Sequence, residues 1–189
     1  MFITDVYPPQ TTLYMPNILI IYSTQNGQTL KICQRLQSVI EQQMHQVTLI
    51  PIQEVDRLAL QGFDKIVIGA SIHYGRHNPH VLAFIRQNQA LLDSKPNAFF
   101  SVNVVARKPE KRTADTNPYL KKFLKHIRWK PRQLAVFAGK IDYPSYGVID
   151  RSVIRLIMWV TKGPTDPTAV VEFTDWNQVD AFGWVISSM

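Results

Sequence analysis

Apolar residues along the chain follow two alternating rhythms. Residues 17–22 (NILIIY) form a short unbroken apolar run, the pattern of a strand buried on both faces. Residues 28–46 then change to helical spacing, with Ile32, Cys33, Leu36, Val39, Ile40 and Met44 on one stripe. Strands are predicted again at 47–52 (VTLIPI), 65–70 (KIVIGA), 98–105 (AFFSVNVV) and 134–138 (LAVFA). Between them, Asn78-Pro79 and Asn117-Pro118 carry the cap-then-proline signature of helix starts. The second of these helices runs to about residue 127, with Tyr119, Leu120, Phe123, Leu124 and Ile127 on its apolar stripe. A last helix begins near Asp175, with Trp176, Val179, Phe182 and Ile186 spaced by three and four. Five strand–helix alternations predict an α/β domain: a doubly wound, five-stranded parallel sheet with helices on both faces.

One stretch does not fit that alternation. Residues 148–162 (VIDRSVIRLIMWVTK) project as a helix between the fifth strand and the last helix, where a compact five-stranded fold needs none. Arg151, Arg155 and Lys162 fall within about 40° of one another at ~100° per residue. Ile149, Val153, Leu156, Ile157 and Val160 take the other side, flanked by Trp159. The insertion is placed at about 143–170. Its helix is expected either to lie at a membrane interface or to pack on the domain edge. The first 16 residues, with Pro8, Pro9 and Pro16, read as a loose leader; Met15 is a candidate natural start, and residues 17–189 form the domain. The leader lacks the basic start and apolar run of a secretory signal, and no stretch reaches the ~18 apolar residues of a membrane span.

Charge changes the picture through its location. The 189 residues hold 21 basic and 14 acidic side chains, a net +7. Ten of the basic and only two of the acidic residues lie between Arg107 and Arg132, making that window +8 and leaving 11 basic against 12 acidic elsewhere. A local field of this kind points to an anionic partner. Without a helix-turn-helix or ribonucleoprotein motif, no nucleic acid is expected. The single cysteine, Cys33, excludes an intrachain disulfide framework and a cysteine-built metal site, and a reducing compartment fits.

Ligands of such sheets bind beyond the carboxyl ends of the strands. The first such end reads Ser23-Thr24-Gln25-Asn26-Gly27-Gln28-Thr29 and opens a helix. Helix-start N–H groups and hydroxyls there would cradle a phosphate without a lysine; the alternative is an ordinary capped strand–helix turn. No Gly-Lys-Ser/Thr makes it a P-loop, and no G-x-G-x-x-G makes it a dinucleotide fingerprint. Tyr22-Ser23 and Ala70-Ser71 replace the acidic strand ends that a phospho-acceptor receiver domain needs. His73, His77 and His80 have no Cys, Asp or Glu in their loop to complete a metal site, and Pro79 interrupts a helical presentation. No metal is expected, and the three are taken as partly exposed loop histidines. His73 and His77 are also candidates for a proton relay, since neutral imidazole is a competent base near pH 7.

The Ser-Thr-x-x-Gly-x-Thr turn resembles the FMN phosphate loop of the flavodoxin-like superfamily. Four further stretches resemble its quinone-dependent protoporphyrinogen IX dehydrogenases, which use quinones such as menaquinone. They are residues 68–75 (IGASIHYG), 101–113 (SVNVVARKPEKRT), 143–151 (YPSYGVIDR) and 173–176 (FTDW). The resemblance runs from about Pro16 to near the C-terminus. It implies a flavodoxin-like fold, FMN as cofactor, and oxidation of protoporphyrinogen IX in haem biosynthesis with electrons passed to a membrane quinone.

Carried over motif by motif, the resemblance implies that Ser23, Thr24, Gln25, Asn26, Gly27, Gln28 and Thr29 hold the FMN phosphate. Ser71, Ile72, Tyr74 and Gly75 form one wall of the flavin, with Tyr74 available to stack on the ring. Asn103, Val104, Val105 and Ala106 form the other. Arg107, Lys108, Lys111 and Arg112 are expected to pair the two propionates of the porphyrinogen. The chemistry is assigned to FMN, and no catalytic side chain is named. The implied setting is peripheral, on an anionic membrane surface at the cytoplasmic face of a bacterial inner membrane; homo-oligomer formation is left open. Alternative functions are a flavodoxin-type one-electron carrier, which has no use for the +8 segment, and a flavin-dependent quinone or nitro reductase fed by reduced nicotinamide.

Overall fold

The alternating pattern becomes a layered structure because each buried strand presents apolar side chains to both of its faces. In the computed structural model, which describes residues 14–189, β1 (Asn17–Ser23) leads into α1 (Gln28–Glu41) and β2 (Gln46–Pro51). Next come β3 (Lys65–His73), β4 (Arg76–His77), α2 (Pro79–Gln87), α3 (Gln89–Ser94) and β5 (Asn97–Val102). The chain continues through α4 (Pro118–Leu124), β6 (Gln133–Phe137), β7 (Lys140–Asp142), α5 (Val148–Val160), β8 (Val170–Glu172) and α6 (Trp176–Ser188). Five parallel strands lie in the order β2-β1-β3-β5-β6, the flavodoxin-like order, with β4 antiparallel to β3. Most of the expected leader, residues 1–13, lies outside the described residues.

Ile18 and Ile20 of β1 point into a core built with Ile32, Leu36 and Ile40 of α1 and Val179, Phe182 and Ile186 of α6. Leu19 and Ile21 point the other way, against Val81, Phe84 and Ile85 of α2 and Leu120 and Phe123 of α4. Both Asn-Pro starts are caps: Asn78 Oδ1 accepts from His80 N at 2.9 Å, and Asn117 Oδ1 accepts from Tyr119 N and Leu120 N, each at 3.2 Å. Lys65 begins β3 by donating to Ile186 O (3.1 Å) and Ser187 O (2.7 Å), satisfying carbonyls at the end of α6.

Several boundaries differ from the sequence pattern. Helix α1 stops at Glu41, and Met44, expected on its stripe, has φ +62° and is exposed. The fourth parallel strand ends at Val102 because Val104–Arg107 folds into a 3-10 turn capped by Asn103. The antiparallel pair β7–β8 frames residues 143–169 and was not anticipated.

Gly69 in β3 is fixed by packing alone. A Cβ there meets Phe100 Cζ at 2.1 Å, and that ring is locked among Phe137 and Phe182. Gly69→Ala is expected to destabilise the protein by about 3 kcal/mol. Thermal melts should record a Tm lower by roughly 6–12 °C; an unchanged Tm contradicts this packing.

Candidate functional site

The carboxyl ends of β1, β3 and β5 open on one cleft, with about 930 Å³ of empty space continuous with solvent. Thr24, Gln25, Asn26, Gln28 and Thr29 line its first end. Gly27 caps α1 in the left-handed conformation (φ +78°), which a residue without Cβ adopts at no steric cost. The first intrahelical bond runs from Lys31 N to Gly27 O at 3.1 Å, so the N–H groups of Gln28, Thr29 and Leu30 have no acceptor within the helix. No acidic residue occupies this first turn. Thr24 Oγ1, Thr29 Oγ1 and Gln28 Oε1 are buried without a hydrogen-bond partner. Buried hydroxyls are ordinarily paired, so two orphans beside a helix start mark a place for an acceptor-rich anion. A phosphate monoester fits that donor set.

Gln28 also ties the loop to the far end of the chain. Its Nε2 donates to Thr174 Oγ1 (2.9 Å) and Glu172 Oε1 (3.1 Å), while Thr174 Oγ1 donates to Ala138 O (2.9 Å). Asp175 caps α6 through Gln178 N at 3.3 Å. The 173–176 stretch is therefore the clamp behind the loop.

Ser71, Ile72, His73, Tyr74 and Gly75 form the second wall. Tyr74 (φ +46°) and Gly75 (φ +75°) are the two central residues of the β3–β4 hairpin, the backbone of a type I′ turn. Left-handed backbone is uncommon for a bulky residue such as tyrosine. Here the Tyr74 hydroxyl donates to the Asp150 carboxylate at the start of α5, holding the ring at the cleft rim, 55% exposed. Asn103, Val104 and Val105 supply the third wall. Ser23, Gly27 and Ala106, also expected in the site, support its backbone without lining the cleft. Ser23 O accepts from Ser71 Oγ (3.3 Å), and Ala106 N donates to Asn103 Oδ1 (3.1 Å).

Sequence reasoning missed the roof. Ile154, Ile157 and Met158 of α5 close over the cleft, joined by Gly139, Lys140, Tyr146 and Tyr119. The i, i+3, i+4 spacing of the three α5 residues was the available signal, but only Ile157 lay on the expected apolar stripe; Ile154 and Met158 fall beside it. Val148, Ile149, Leu156, Trp159 and Val160, between 60% and 80% exposed, face away from the domain. The insertion has its own small core of Ile141, Tyr143, Tyr146 and Met158. Arg151 donates to Tyr143 O (3.1 Å) and Tyr146 O (3.2 Å), and Arg155 to Thr165 O (2.8 Å). These two arginines fasten the helix to its own loops.

None of Arg107, Lys108, Lys111 and Arg112 lines the cleft. Arg107 is partly buried and donates to Val104 O (3.3 Å), Thr161 O (3.0 Å) and Thr161 Oγ1 (2.9 Å), anchoring the C-terminal end of α5. His77 also departs from expectation: it is buried, not a partly exposed loop residue, and packs on Phe123 with ring centroids 4.5 Å apart. Its Nε2 lies 3.0 Å from Ser101 Oγ, in a buried chain continuing to Asn103 and Asn117. His73 stays half-buried against Tyr74, and His80 is exposed. Among the described residues, no group of three or more His, Cys, Asp and Glu side chains is placed to hold a metal.

Burial pushes the His77 imidazole from 6.5 down to about 4. The unfolded chain takes up this proton near its ordinary value, so His77 stabilises the fold fully above pH 6.5. That contribution, on the order of 3 kcal/mol, is lost as the pH falls to about 4. Urea unfolding at pH 7 and pH 4 should show His77→Gln losing less stability on acidification than wild type, by about that amount. Equal losses in the two proteins argue against it.

The fold and the anion-ready helix start define a class: the chain belongs to the flavodoxin domain family, which matches residues 19–168. Within that class it is similar to the protoporphyrinogen IX dehydrogenase (quinone) of Escherichia coli (strain K12), 41% identical over 171 residues, 90% of this chain and 94% of that one. The protein of the same name from Leishmania major is 38% identical over 168 residues, 88% of this chain and 73% of its own length. Among solved structures, the chain shares its fold with a flavodoxin from the domain Archaea (TM-score 0.53, 13% identity, 91% of this chain and 96% of that one). It likewise shares it with oxidised Flavodoxin 1 from Bacillus cereus (TM-score 0.52, 14% identity, 91% and 97%).

Proposed function

We propose that this protein is an FMN-dependent protoporphyrinogen IX dehydrogenase that passes electrons to a membrane quinone in haem biosynthesis. The observation that carries this reading is the convergence of the phosphate loop, the β3–β4 hairpin and the segment after β5 on one cleft, with orphaned hydroxyls at its helix start. The relatives' shared name supplies the substrate and the acceptor. Bound in this cleft, FMN would supply two-electron redox chemistry between the porphyrinogen and the quinone.

The chain's own residues bind and orient. Thr24, Thr29 and the start of α1 hold the phosphate, and Gln25, Asn26 and Gln28 complete the loop around it. Tyr74 and Gly75 form one wall for the ring, with Val104 and Val105 opposite. Ile154, Ile157 and Met158 give the cleft an apolar lining from α5, with Met158 buried and Ile157 41% exposed. No described helix is long and apolar enough to cross a membrane. The outward face of α5 instead supports peripheral binding, with that helix lying in the interface between the flavin cleft and the quinone-bearing bilayer. An anionic cytoplasmic leaflet is the surface that suits the protein's net +7.

Anaerobic incubation of the FMN-loaded protein with protoporphyrinogen IX and a defined quinone tests the reading. Protoporphyrin fluorescence should appear at a rate that requires protein and quinone together. A flavin-loaded protein that leaves the porphyrinogen untouched overturns it.

A further inference from the structure

A second cavity adjoins the flavin cleft and shares two of its lining residues, Gly75 and Tyr119. Its flank is apolar, built by Pro79 and Leu82 of α2 and by Tyr119 and Phe123 of α4. At its mouth stand Arg76 and Lys122, from the β3–β4 hairpin and from α4. Both are exposed, and among the described residues neither has a carboxylate within ion-pair distance. No acidic side chain lines this groove. Buried His77, held toward Ser101, and exposed His126 also line the groove, and its permanent charges are those of Arg76 and Lys122.

An apolar slot with two unpaired cations on different elements matches one chemistry well. That chemistry is a bulky, apolar macrocycle carrying two carboxylates, each able to meet its own cation. We infer that the groove between the β3–β4 hairpin and α4 is the tetrapyrrole subsite, with Arg76 and Lys122 pairing the two propionates of protoporphyrinogen IX. The assignment rests on the function proposed above and deepens it. It replaces the loop cations Lys108, Lys111 and Arg112, which line neither cavity, and Arg107, which is engaged with α5. It gives the +8 segment a division of labour: Arg107 holds the roof, and Lys122 meets the substrate. The shared wall at Gly75 and Tyr119 puts the macrocycle next to the flavin cleft, so electrons have a short path between the two sites.

The test compares wild type with Arg76→Gln/Lys122→Gln, both FMN-loaded, by titration with protoporphyrin IX and with its dimethyl ester. FMN content serves as the check on folding. The double variant should bind protoporphyrin IX about tenfold more weakly, the scale of two exposed ion pairs, and bind the dimethyl ester as wild type does. KM for protoporphyrinogen should rise by a similar factor, with KM for the quinone unchanged. Unaltered protoporphyrin affinity in the double variant, while the wild type does turn over porphyrinogen, overturns the groove alone. Equal weakening toward acid and ester also overturns the ion pairing. A wild type that neither binds protoporphyrin IX nor oxidises porphyrinogen overturns the function and the groove together.

Discussion

Replacing both orphaned hydroxyls, as Thr24→Val/Thr29→Val, is expected to raise the dissociation constant for FMN by roughly 10²–10⁴. Each hydroxyl is buried without a partner in the protein, and a hydrogen bond to a charged group contributes about 1.5–3 kcal/mol. Two such bonds give about 3–6 kcal/mol, hence that range of affinity. The same substitutions should leave the flavin-free protein as stable as wild type or slightly more so, because valine matches threonine in shape and removes an unsatisfied buried group. These opposite signs separate a ligand role from a structural one. Were Thr24 and Thr29 simply framework residues, the flavin-free protein would lose stability and FMN affinity would follow only indirectly. Flavin fluorescence quenching measures the first quantity and thermal melting the second. A change in FMN affinity of less than about tenfold would sink the assignment.

The alternation of apolar runs and helical stripes reported the parallel sheet because burial on both faces leaves little other choice for NILIIY or KIVIGA. The Asn-Pro caps were legible for a similarly local reason, since asparagine satisfies helix-start N–H groups wherever it stands. The phosphate loop was legible too: its hydroxyls, its glycine and its helix lie within a few residues of each other. Apart from the α5 residues of the cleft, whose spacing is local, the missed features are non-local. Lys140 and Tyr146 reach the cleft because β7 pairs with β8, a contact across the whole insertion that no local period encodes. The VARKPEKRT segment read as a substrate clamp because its charge was visible, whereas the partner of Arg107, Thr161, lies 54 residues away. His77 looked like its neighbours in a loop until Phe99 and Phe123 closed around it.

Replacing Leu156, Trp159 and Val160 together by serine is expected to abolish vesicle binding, lowering the partition coefficient by about 10³ or more. The three belong to an outward set with Val148 and Ile149 that fits within an arc of about 120° at ~100° per residue. An isolated apolar side chain on a surface is ordinary, but five on one helix form a patch that calls for a partner. Transfer of such side chains out of water is worth about 1.5 kcal/mol or more each, so losing three removes about 4.5 kcal/mol. None of the three belongs to a buried cluster of the domain, so Tm should stay within the small range of surface substitutions. The arrangement also changes what salt should do. Arg151 and Arg155 donate to carbonyls of the insertion, so the basic stripe is largely occupied holding α5 in place. In the proposed peripheral binding, apolar burial would carry the attachment, and raising the ionic strength should weaken it only modestly. Flotation with vesicles of phosphatidylethanolamine and phosphatidylglycerol, at low and high salt, reads both effects at once. Binding by the triple-serine variant equal to wild type, or complete release of wild type by salt, contradicts the role of this apolar face, and no binding by wild type overturns the proposed membrane attachment.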